Sequence, residues 1–179
     1  MLDPAPIGFR PLELADLPRL LRWLNTPHVV QWWEEPPTFE EIVAKYTPRI
    51  MGQEPVHCFV ILYDGRPIGY MQSYSIRDYP DFSRYVDSPE ATVGVDVFIG
   101  DADHVHKGLG SFIVTCFLRA IVFDSQHATS CLIDPDAWNT VAIRAYEKAG
   151  FRHLQTVQVS KDNKAVRLMR IDKADLIEA

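Results

Sequence analysis

Apolar residues along this chain of 179 residues alternate between helical spacing and short continuous runs. Helical spacing puts apolar side chains three or four positions apart, as in Leu17, Leu20, Leu21 and Leu24. Runs rich in β-branched and aromatic residues between turn residues are typical of strands. The pattern predicts the order β-α-α-β-β-β-α-β-α-β-β. The predicted strands are 7–13, 56–63, 68–76, 92–100, 128–133, 151–160 and 165–171, and the predicted helices are 16–24, 38–48, 108–123 and 139–149.

Local signals fix several of these boundaries. Thr38 and Glu41 form a capping box at a helix start, and Gly150 is the expected stop after the last helix. Asp64 and Gly65 predict a tight hairpin turn between two strands, and a second hairpin turn is expected at 161–164. On the helix from Gly108 the predicted buried stripe is the following set: Phe112, Ile113, Cys116, Phe117, Ala120 and Ile121.

Two segments carry no clear period and are predicted to be loops. The first is 28–37, where Trp32 and Trp33 stand side by side between prolines, so that one of them is expected to face a ligand. The second is 77–91, which contains four acids, two arginines and three aromatic residues. Long loops within compact domains are often functional, and we expect the same here.

The order of elements predicts a mixed α/β sheet with helices on both faces, folded as one domain over residues 1–179. The strands 93–100 and 128–133 are expected to be parallel because a helix crosses between them. Ligands of such sheets bind beyond the carboxyl ends of the parallel strands. That rule groups Asp96, Asp134, Asn139 and Tyr146 around one cleft with the glycines that start the helix at Gly108.

Composition limits the classes of partner that the chain is expected to bind. The formal net charge is −6, and the sequence has no cluster of Lys or Arg longer than two, which argues against nucleic acid and acidic membranes and favours a cationic ligand. The chain has no apolar run near the ~18–20 residues of a membrane span. Its start lacks a signal peptide, and its three cysteines lack CxxC spacing, so a reducing, cytoplasmic location is expected. The six histidines lack metal-ligand spacing, and no metal is predicted.

The start of the helix at Gly108 is the clearest candidate for a binding site. Unpaired amides and the positive end of the helix dipole converge there, and glycine lets a phosphate approach closely. A phosphorylated cofactor is therefore expected. With Gly108-Leu-Gly110 at this position and Asn139–Phe151 further on, the chain resembles the Gcn5-related N-acetyltransferase (GNAT) superfamily. Val105 stands where that family has Gln or Arg, which removes one side chain from the phosphate site but no backbone donor.

Further segments are similar to bacterial aminoglycoside 6′-N-acetyltransferases. They are Arg22–Asn25, His28–Trp33, Pro67–Tyr74, Gly94–Asp96, Lys107–Gly110 and Asp134–Pro135. The resemblance implies the GNAT fold, with a mostly antiparallel mixed sheet splayed between two parallel strands. It also implies direct acetyl transfer from acetyl-CoA to an aminoglycoside 6′-amine, a reaction of antibiotic resistance, by a monomer or homodimer. Two alternatives stay open: an acyltransferase acting on a lysine-like siderophore precursor, and a CoA-binding sensor without turnover.

The resemblance also implies roles for individual residues. Asp96 is expected to be the base or the carboxylate that binds the substrate ammonium, and Tyr146 to assist the leaving thiolate. Backbone N–H groups around Val97 and Phe98 would bind the oxyanion. The expected cofactor contacts, besides those amides and Tyr146, are His106, Lys107, Gly108, Leu109, Gly110, Ser111 and Asn139. The expected substrate contacts are Trp32, Trp33, Glu34, Glu35, Gln72, Tyr74, Asp96, Asp134 and Asp136.

Overall fold

A computed structural model describes residues 6–33, 38–159 and 164–176, and within these ranges seven strands form one sheet. Glu34, Glu35 and most of the hairpin turn predicted at 161–164 lie outside the described residues. The strands are β1 (Ile7–Pro11), β2 (Val56–Tyr63), β3 (Arg66–Ser75), β4 (Thr92–Ile99), β5 (Ser130–Ile133), β6 (Arg152–Val159) and β7 (Lys164–Asp172). Their order across the sheet is β1-β2-β3-β4-β5-β7-β6. The pair β4–β5 is parallel, as predicted, within a mostly antiparallel sheet.

Seven α-helical segments accompany these strands in the described residues. They are α1 (Leu17–Leu24), α2 (Pro27–Val30), α3 (Phe39–Ile50), α4 (Pro80–Ser83), α5 (Leu109–Phe117), α6 (Thr140–Lys148) and α7 (Lys173–Leu176). Helix α5 continues as a π-helical segment, Leu118–Ser125. None of the described helices combines the length and the apolar character that a bilayer span requires.

The backbone groups into two compact units. The first comprises Met1–Ser73 and Val97–Lys107, and the second comprises Tyr74–Asp96 and Gly108–Ala179. The expectation of a single domain over the whole chain stays a prediction.

Local signals shape the first unit as expected. Asp64 and Gly65 both have positive φ, at 49° and 70°, which is the backbone that a two-residue hairpin turn requires. Thr38 caps α3, with its hydroxyl accepting from the backbone N–H of Glu41. Helix α3 continues through Pro48, which lies in its last turn. The buried core of α3 is formed by Ile42 and Tyr46.

A charged cluster ties β1 to the start of α1 in this unit. Asp16 is 4% exposed and accepts hydrogen bonds from Arg10 at 2.6 and 2.7 Å and from Arg19 at 2.9 Å. The hydrogen bond from Arg10 is the largest cause that lowers the pKa of Asp16, and the backbone N–H of Glu13 adds to it. Asp16 is thus a structural carboxylate that is stable in its ionised form.

The second unit is built around β5, all four residues of which are buried. Strand β5 pairs in parallel with β4 from Thr92–Ser130 to Gly94–Leu132, and antiparallel with β7 on its other side. The parallel ladder ends at Gly94, two residues before Asp96. Gly150 follows α6 with φ of 99° and ends it as predicted.

The predicted buried stripe of the helix that begins after Gly108 is partly wrong. Phe112 is 40% exposed, and Ala120 is also exposed. The residues that this helix and its π-helical continuation bury are Leu109, Ile113, Val114, Phe117, Leu118, Val122 and Phe123. Within α5 the buried residues Leu109, Ile113 and Phe117 keep the four-residue spacing of an α-helix, and Phe112 lies beside that stripe. Beyond Phe117 the wider π-helical turn places Val122 and Phe123 five positions after Phe117 and Leu118, which leaves Ala120 on the exposed side.

The two predicted loops contain more regular structure than expected. The segment 28–37 begins within α2, which starts at Pro27, a position where proline favours a helix start. The segment 77–91 contains α4 and short 3₁₀ turns at Ile76–Asp78 and Pro89–Ala91. These elements are one turn long, too short to produce a visible period in the sequence.

Candidate active site

Strand β4 carries Asp96, a half-buried carboxylate near the end of the parallel ladder. The hydroxyl of Tyr74, at the end of β3, lies 3.4 Å from Asp96 Oδ1 and donates to it. Tyr74 is 8% exposed, and burial is the largest cause that raises the pKa of its hydroxyl well above the usual range, followed by the negative charges of Asp96 and Asp134. The hydroxyl therefore keeps its proton and can act as a donor.

Asp134 follows directly after the buried strand β5 and faces the same region. Desolvation raises the pKa of this carboxyl well above its usual range, and the charge of Asp96 raises it further. Two carboxylates close together in a poorly hydrated setting resist ionising at the same time. The pair thus forms a strongly negative site in which Asp134 holds its proton more readily than an ordinary aspartate.

Tyr146, two turns into α6, belongs to the same group of side chains. It is 8% exposed, and its pKa is raised first by burial and then by the charges of Asp96 and Asp134. Cys131 on β5 is fully buried, and its pKa is raised by burial and by Asp96. We call Asp96, Asp134, Tyr74, Tyr146 and Cys131 the acidic cluster. It contains two carboxyl groups and two protonated phenols, all within the second unit.

A glycine makes room for this arrangement. A Cβ atom added at Gly94 would overlap Cε2 of Tyr74 and lie 2.8 Å from its Cζ and 2.9 Å from Cδ1 of Ile76. Gly94 therefore allows the Tyr74 ring to lie close against the backbone of β4. The Gly94-Val-Asp96 motif of the sequence thus combines the carboxylate with the space for its aromatic partner.

The start of α5 has the geometry expected of an anion site. Gly108, its N-cap, has φ of 76°, and nothing lies within 4 Å of a Cβ added there. His106 also has a positive φ, at 59°, and Gly108, His106 and Lys107 are exposed. Gly110 and the half-buried Ser111 follow in the first turn. Backbone amides at such an open helix start fit a pyrophosphate.

Two of the expected cofactor contacts have a structural role as well. Leu109 is 7% exposed, so its side chain belongs to the core and only its backbone N–H is available at the helix start. Asn139 caps α6, with Oδ1 accepting from the backbone N–H of Ala142 at 3.1 Å. This bond orients the side-chain amide and leaves its N–H groups as the donors that a pantetheine arm needs.

The other expected substrate residues are distributed over both units. Gln72, in the first unit, accepts from Arg49 at 3.1 Å and from the Tyr70 hydroxyl at 2.7 Å. Asp136, in the second, is paired with Lys164 at 3.5 Å and accepts from the backbone N–H of Trp138 at 2.8 Å. The amide oxygen of Gln72 and the carboxylate of Asp136 thus have protein partners, which the sequence did not reveal.

Aromatic packing fixes the remaining expected contacts of the first unit. Trp33 packs edge-on against Phe98 and Tyr70, with centroids 4.9 and 6.0 Å apart, and Trp32 is half-buried. Val97 and Phe98 form the end of β4, just before Gly100 and Asp101, whose N–H groups both donate to the carbonyl of Ile68. That two-to-one pairing is typical of a β-bulge.

The described residues contain no group of three or more His, Cys, Asp or Glu side chains arranged to hold a metal ion. Sequence reasoning missed one aromatic residue of this region, Tyr79, whose ring contacts Tyr74 with centroids 4.4 Å apart. The only signal for it was its place in the segment 77–91, which was expected to be functional.

Comparison with known families and proteins identifies the kind of domain. The family model described as an acetyltransferase (GNAT) domain matches residues 13–159. The aminoglycoside N(6′)-acetyltransferase type 1 of Klebsiella pneumoniae is 34% identical over 171 residues, covering 94% of this chain and 84% of that protein. The lysine N-acyltransferase MbtK of Mycobacterium tuberculosis is 26% identical over 157 residues, covering 86% of this chain and 71% of that protein.

Solved structures agree with the sequence comparisons. The crystal structure of the aminoglycoside acetyltransferase AAC(6′)-Ib in complex with coenzyme A and kanamycin superposes with a TM-score of 0.86. It is 30% identical, and the match covers 97% of this chain and 99% of that one. The two chains therefore share the fold over nearly their whole lengths.

Proposed function

Because the chain belongs to the GNAT acetyltransferase family, we propose that it transfers the acetyl group of acetyl-CoA to the 6′-amine of an aminoglycoside. The observation that carries this proposal is the juxtaposition of Asp96 and Asp134 in the acidic cluster. Aminoglycosides carry several ammonium groups, and each one that leaves water needs a carboxylate or carbonyl partner. The kanamycin bound to the 30% identical AAC(6′)-Ib supports the same substrate class here.

The electrostatics of the cluster favour a cation over a neutral ligand. Because burial and the charge of Asp96 raise the pKa of Asp134, full ionisation of the pair is unfavourable in the free protein. An ammonium group beside both carboxyls offsets that repulsion and lets both ionise. Binding of the amine is therefore expected to be coupled to loss of a proton from Asp134.

Acetyl transfer requires an uncharged amine. In the proposed reaction the amine nitrogen attacks the acetyl carbonyl carbon, a C–N bond forms, and the C–S bond to CoA breaks. Asp96 has two possible roles: it accepts the proton that the amine loses, or it only anchors the ammonium. The two roles predict different pH dependences of kcat for the Asp96→Asn variant. The kcat of that variant stays steeply pH-dependent only if another group removes the proton.

Tyr146 suits the other end of the reaction. Its raised pKa means that the phenol keeps its proton at neutral pH, so it can donate to the departing sulfur atom. Backbone N–H groups of Val97 and Phe98 are proposed to bind the carbonyl oxygen as it becomes negative. In this proposal the positive charge on the amine meets Asp96, and the negative charges on sulfur and on the carbonyl oxygen each meet a hydrogen-bond donor.

The residues at the helix start fit acetyl-CoA, which supplies the activated acetyl group when bound. We assign its pyrophosphate to the backbone amides from His106 to Ser111, with Lys107 adding a positive charge. The open space above Gly108 is the observation that supports this assignment. Asn139 is proposed to donate its side-chain N–H groups to the pantetheine arm.

The remaining substrate contacts are assigned by chemistry. Tyr74 can donate a hydrogen bond, and Trp32 and Trp33 provide aromatic surface for a sugar ring. Gln72, whose amide oxygen accepts from Arg49 and Tyr70, is proposed to add a polar contact to the substrate. Asp136 is proposed to act mainly through its electrostatic field, since its oxygens already bind Lys164 and Trp138.

A second candidate is acyl transfer to a lysine-like amine, which the 26% identity to MbtK favours. An assay of thiol release from acetyl-CoA with kanamycin, and separately with N6-hydroxylysine, distinguishes the two. We expect turnover with kanamycin, with the product acetylated at the 6′ position by NMR, and a higher kanamycin tolerance in cells expressing the protein. Turnover with hydroxylysine alone would replace the first candidate by the second, and CoA binding without turnover on either amine would indicate a sensor.

A further inference from the structure

A tilted aromatic contact joins the segment between β3 and β4 to the acidic cluster. The rings of Tyr79 and Tyr74 lie with centroids 4.4 Å apart and planes inclined by 46°. Tyr79 stands between the 3₁₀ turn Ile76–Asp78 and helix α4, and its ring is half-buried. Neither residue spacing nor chemistry singled it out in the sequence.

The Tyr74 ring is confined by its surroundings. Gly94 gives it a close approach to β4, where even one added methyl group would overlap the ring. Ile76, 2% exposed, lies against the same glycine and anchors the beginning of the segment. The contact with Tyr79 adds an aromatic boundary to a residue that is only 8% exposed.

The backbone of Tyr79 is held by its own hydrogen bonds. Its N–H donates to the carbonyl of Ile76 at 3.0 Å. Its carbonyl accepts from Phe82 at 3.0 Å and from Ser83 at 2.9 Å. A side chain on a backbone fixed in this way is a firm support for the ring that it contacts.

We propose that Tyr79 is a positioning residue that holds the Tyr74 ring so that the Tyr74 hydroxyl stays directed at Asp96. The inference rests on the proposed function, in which Asp96 acts on the substrate amine. At 3.4 Å the hydroxyl is at the long limit of a hydrogen bond to a carboxylate, so a small displacement of the ring breaks it. The contact with the Tyr79 ring resists such a displacement.

The groups of the described structure that interact electrostatically with Asp96 include Tyr74 from β3, Cys131 from β5, Asp134 after β5, and Tyr146 from α6. Within this set Tyr74 has a hydrogen bond to the Asp96 carboxylate. A hydrogen bond donated to a carboxylate favours its charged form. Loosening Tyr74 is therefore expected to raise the pKa of Asp96 and to move the acid limb of the pH–rate profile to higher pH.

The test compares Tyr79→Leu with Tyr79→Phe, each made in the wild-type chain and in Tyr74→Phe. Leucine keeps an apolar cover but removes the ring, whereas phenylalanine retains the ring contact. Tyr85→Leu is the matched control, since Tyr85 lies in the same segment and its ring contacts Arg84. The measurements are kcat and KM for kanamycin and acetyl-CoA from pH 5 to 9, together with Tm.

In the wild-type chain Tyr79→Leu is expected to lower kcat about three- to tenfold, which is the effect expected for loss of an aromatic contact. The KM for acetyl-CoA should not change, and the acid limb of the pH–rate profile should move to higher pH. Tyr79→Phe and Tyr85→Leu are both expected to keep the wild-type kcat and the wild-type acid limb. In Tyr74→Phe, the change to leucine has no further effect on the acid limb. Equal losses in both backgrounds, or a Tyr79→Leu variant with the wild-type profile, would overturn the proposal.

A readout without turnover keeps this inference separate from the proposed function. In protein containing ring-labelled tyrosine, NMR measures the flipping rate of the Tyr74 ring, which we expect to rise in Tyr79→Leu but not in Tyr79→Phe or Tyr85→Leu. An unchanged rate in Tyr79→Leu would refute the positioning role even if the enzyme is active. A faster rate in a protein that does not acetylate kanamycin would uphold the contact and reject the proposed function alone.

Discussion

Gly94 offers a direct test of how the acidic cluster is packed, since one methyl group at this position decides whether Tyr74 fits. In Gly94→Ala the new carbon would lie 2.8 Å from Cζ of Tyr74 and would overlap Cε2. Carbon atoms in proteins rest about 3.5–4.0 Å apart, so the ring must move. Overpacking of this kind costs about 1–3 kcal/mol. For a chain of this length, each kcal/mol corresponds to about 2–4 °C in Tm.

Gly8→Ala is the matched control for this substitution. Gly8 lies in β1, and its added Cβ would find its nearest neighbours, two Leu62 carbons, at 3.7 and 3.8 Å, which is ordinary contact. Thermal unfolding is therefore expected to show a Tm lower by about 2–12 °C for Gly94→Ala and an unchanged or slightly higher Tm for Gly8→Ala. The thiol-release assay should show a loss of kcat in the first variant only, because Tyr74 is displaced from Asp96.

A double substitution tests whether the Tyr74 ring is the group that the new methyl group displaces. In Tyr74→Ala the ring atoms are gone, and the other close neighbour of the new methyl group, Cδ1 of Ile76 at 2.9 Å, is the end of a flexible side chain. Gly94→Ala should then cost less than about 0.5 kcal/mol, since the two sites couple through one contact. An equal cost in both backgrounds, or a Gly94→Ala variant as stable as Gly8→Ala, would refute the packing argument.

Three further predictions follow from the same structure. Asp96→Asn should lower kcat at least about tenfold with an unchanged KM for acetyl-CoA, and a wild-type rate in the thiol-release assay would remove Asp96 as the base. Gly110→Val should raise the KM for acetyl-CoA about tenfold or more by crowding the phosphate site at the start of α5. Gly110→Ala, whose methyl group meets Ala145 Cβ at 3.4 Å, should keep the wild-type KM. Equal KM values for the two variants would argue against a phosphate site there. Urea unfolding across pH should show that Asp16→Asn lowers the free energy of unfolding by about 2–4 kcal/mol at neutral pH and by less below about pH 4. Asp134→Asn should instead raise the free energy of unfolding at neutral pH. Losses of equal size in both variants would contradict the assigned pKa shifts.

Features that depend on neighbouring residues were predictable from the sequence. The hairpin at Asp64 and Gly65, the cap at Thr38 and the helix stop at Gly150 each need only a few adjacent residues, and all three are confirmed. The parallel pairing of β4 and β5 was also predictable, because a helical crossover between two strands restricts their direction.

Features that depend on distant partners were not predictable. Arg49 and Gln72 are 23 residues apart, and Lys164 and Asp136 are 28 apart in number, so no local period reports their contacts. The exposure of Ala120 was not predictable for another reason. Ala120 lies in the π-helical continuation of α5, where the repeat changes from three or four residues to four or five, whereas the prediction assumed a regular α-helix.

The buried Asp16 and the half-buried Asp134 show how an acid that stabilises the fold differs from one whose ionisation the fold opposes. Asp16 has a lowered pKa, so its stabilising contribution is present above the unfolded-state pKa and is lost as the pH falls through the folded-state value. Asp134 has a raised pKa, so its contribution is present at low pH and is lost as the pH rises through its folded-state value. At neutral pH the first carboxylate stabilises the fold through Arg10, whereas the second is under strain from desolvation and from Asp96. We propose that a substrate ammonium beside both carboxyls relieves that strain, so that the same desolvation and repulsion that oppose ionisation of Asp134 favour the binding of a cation.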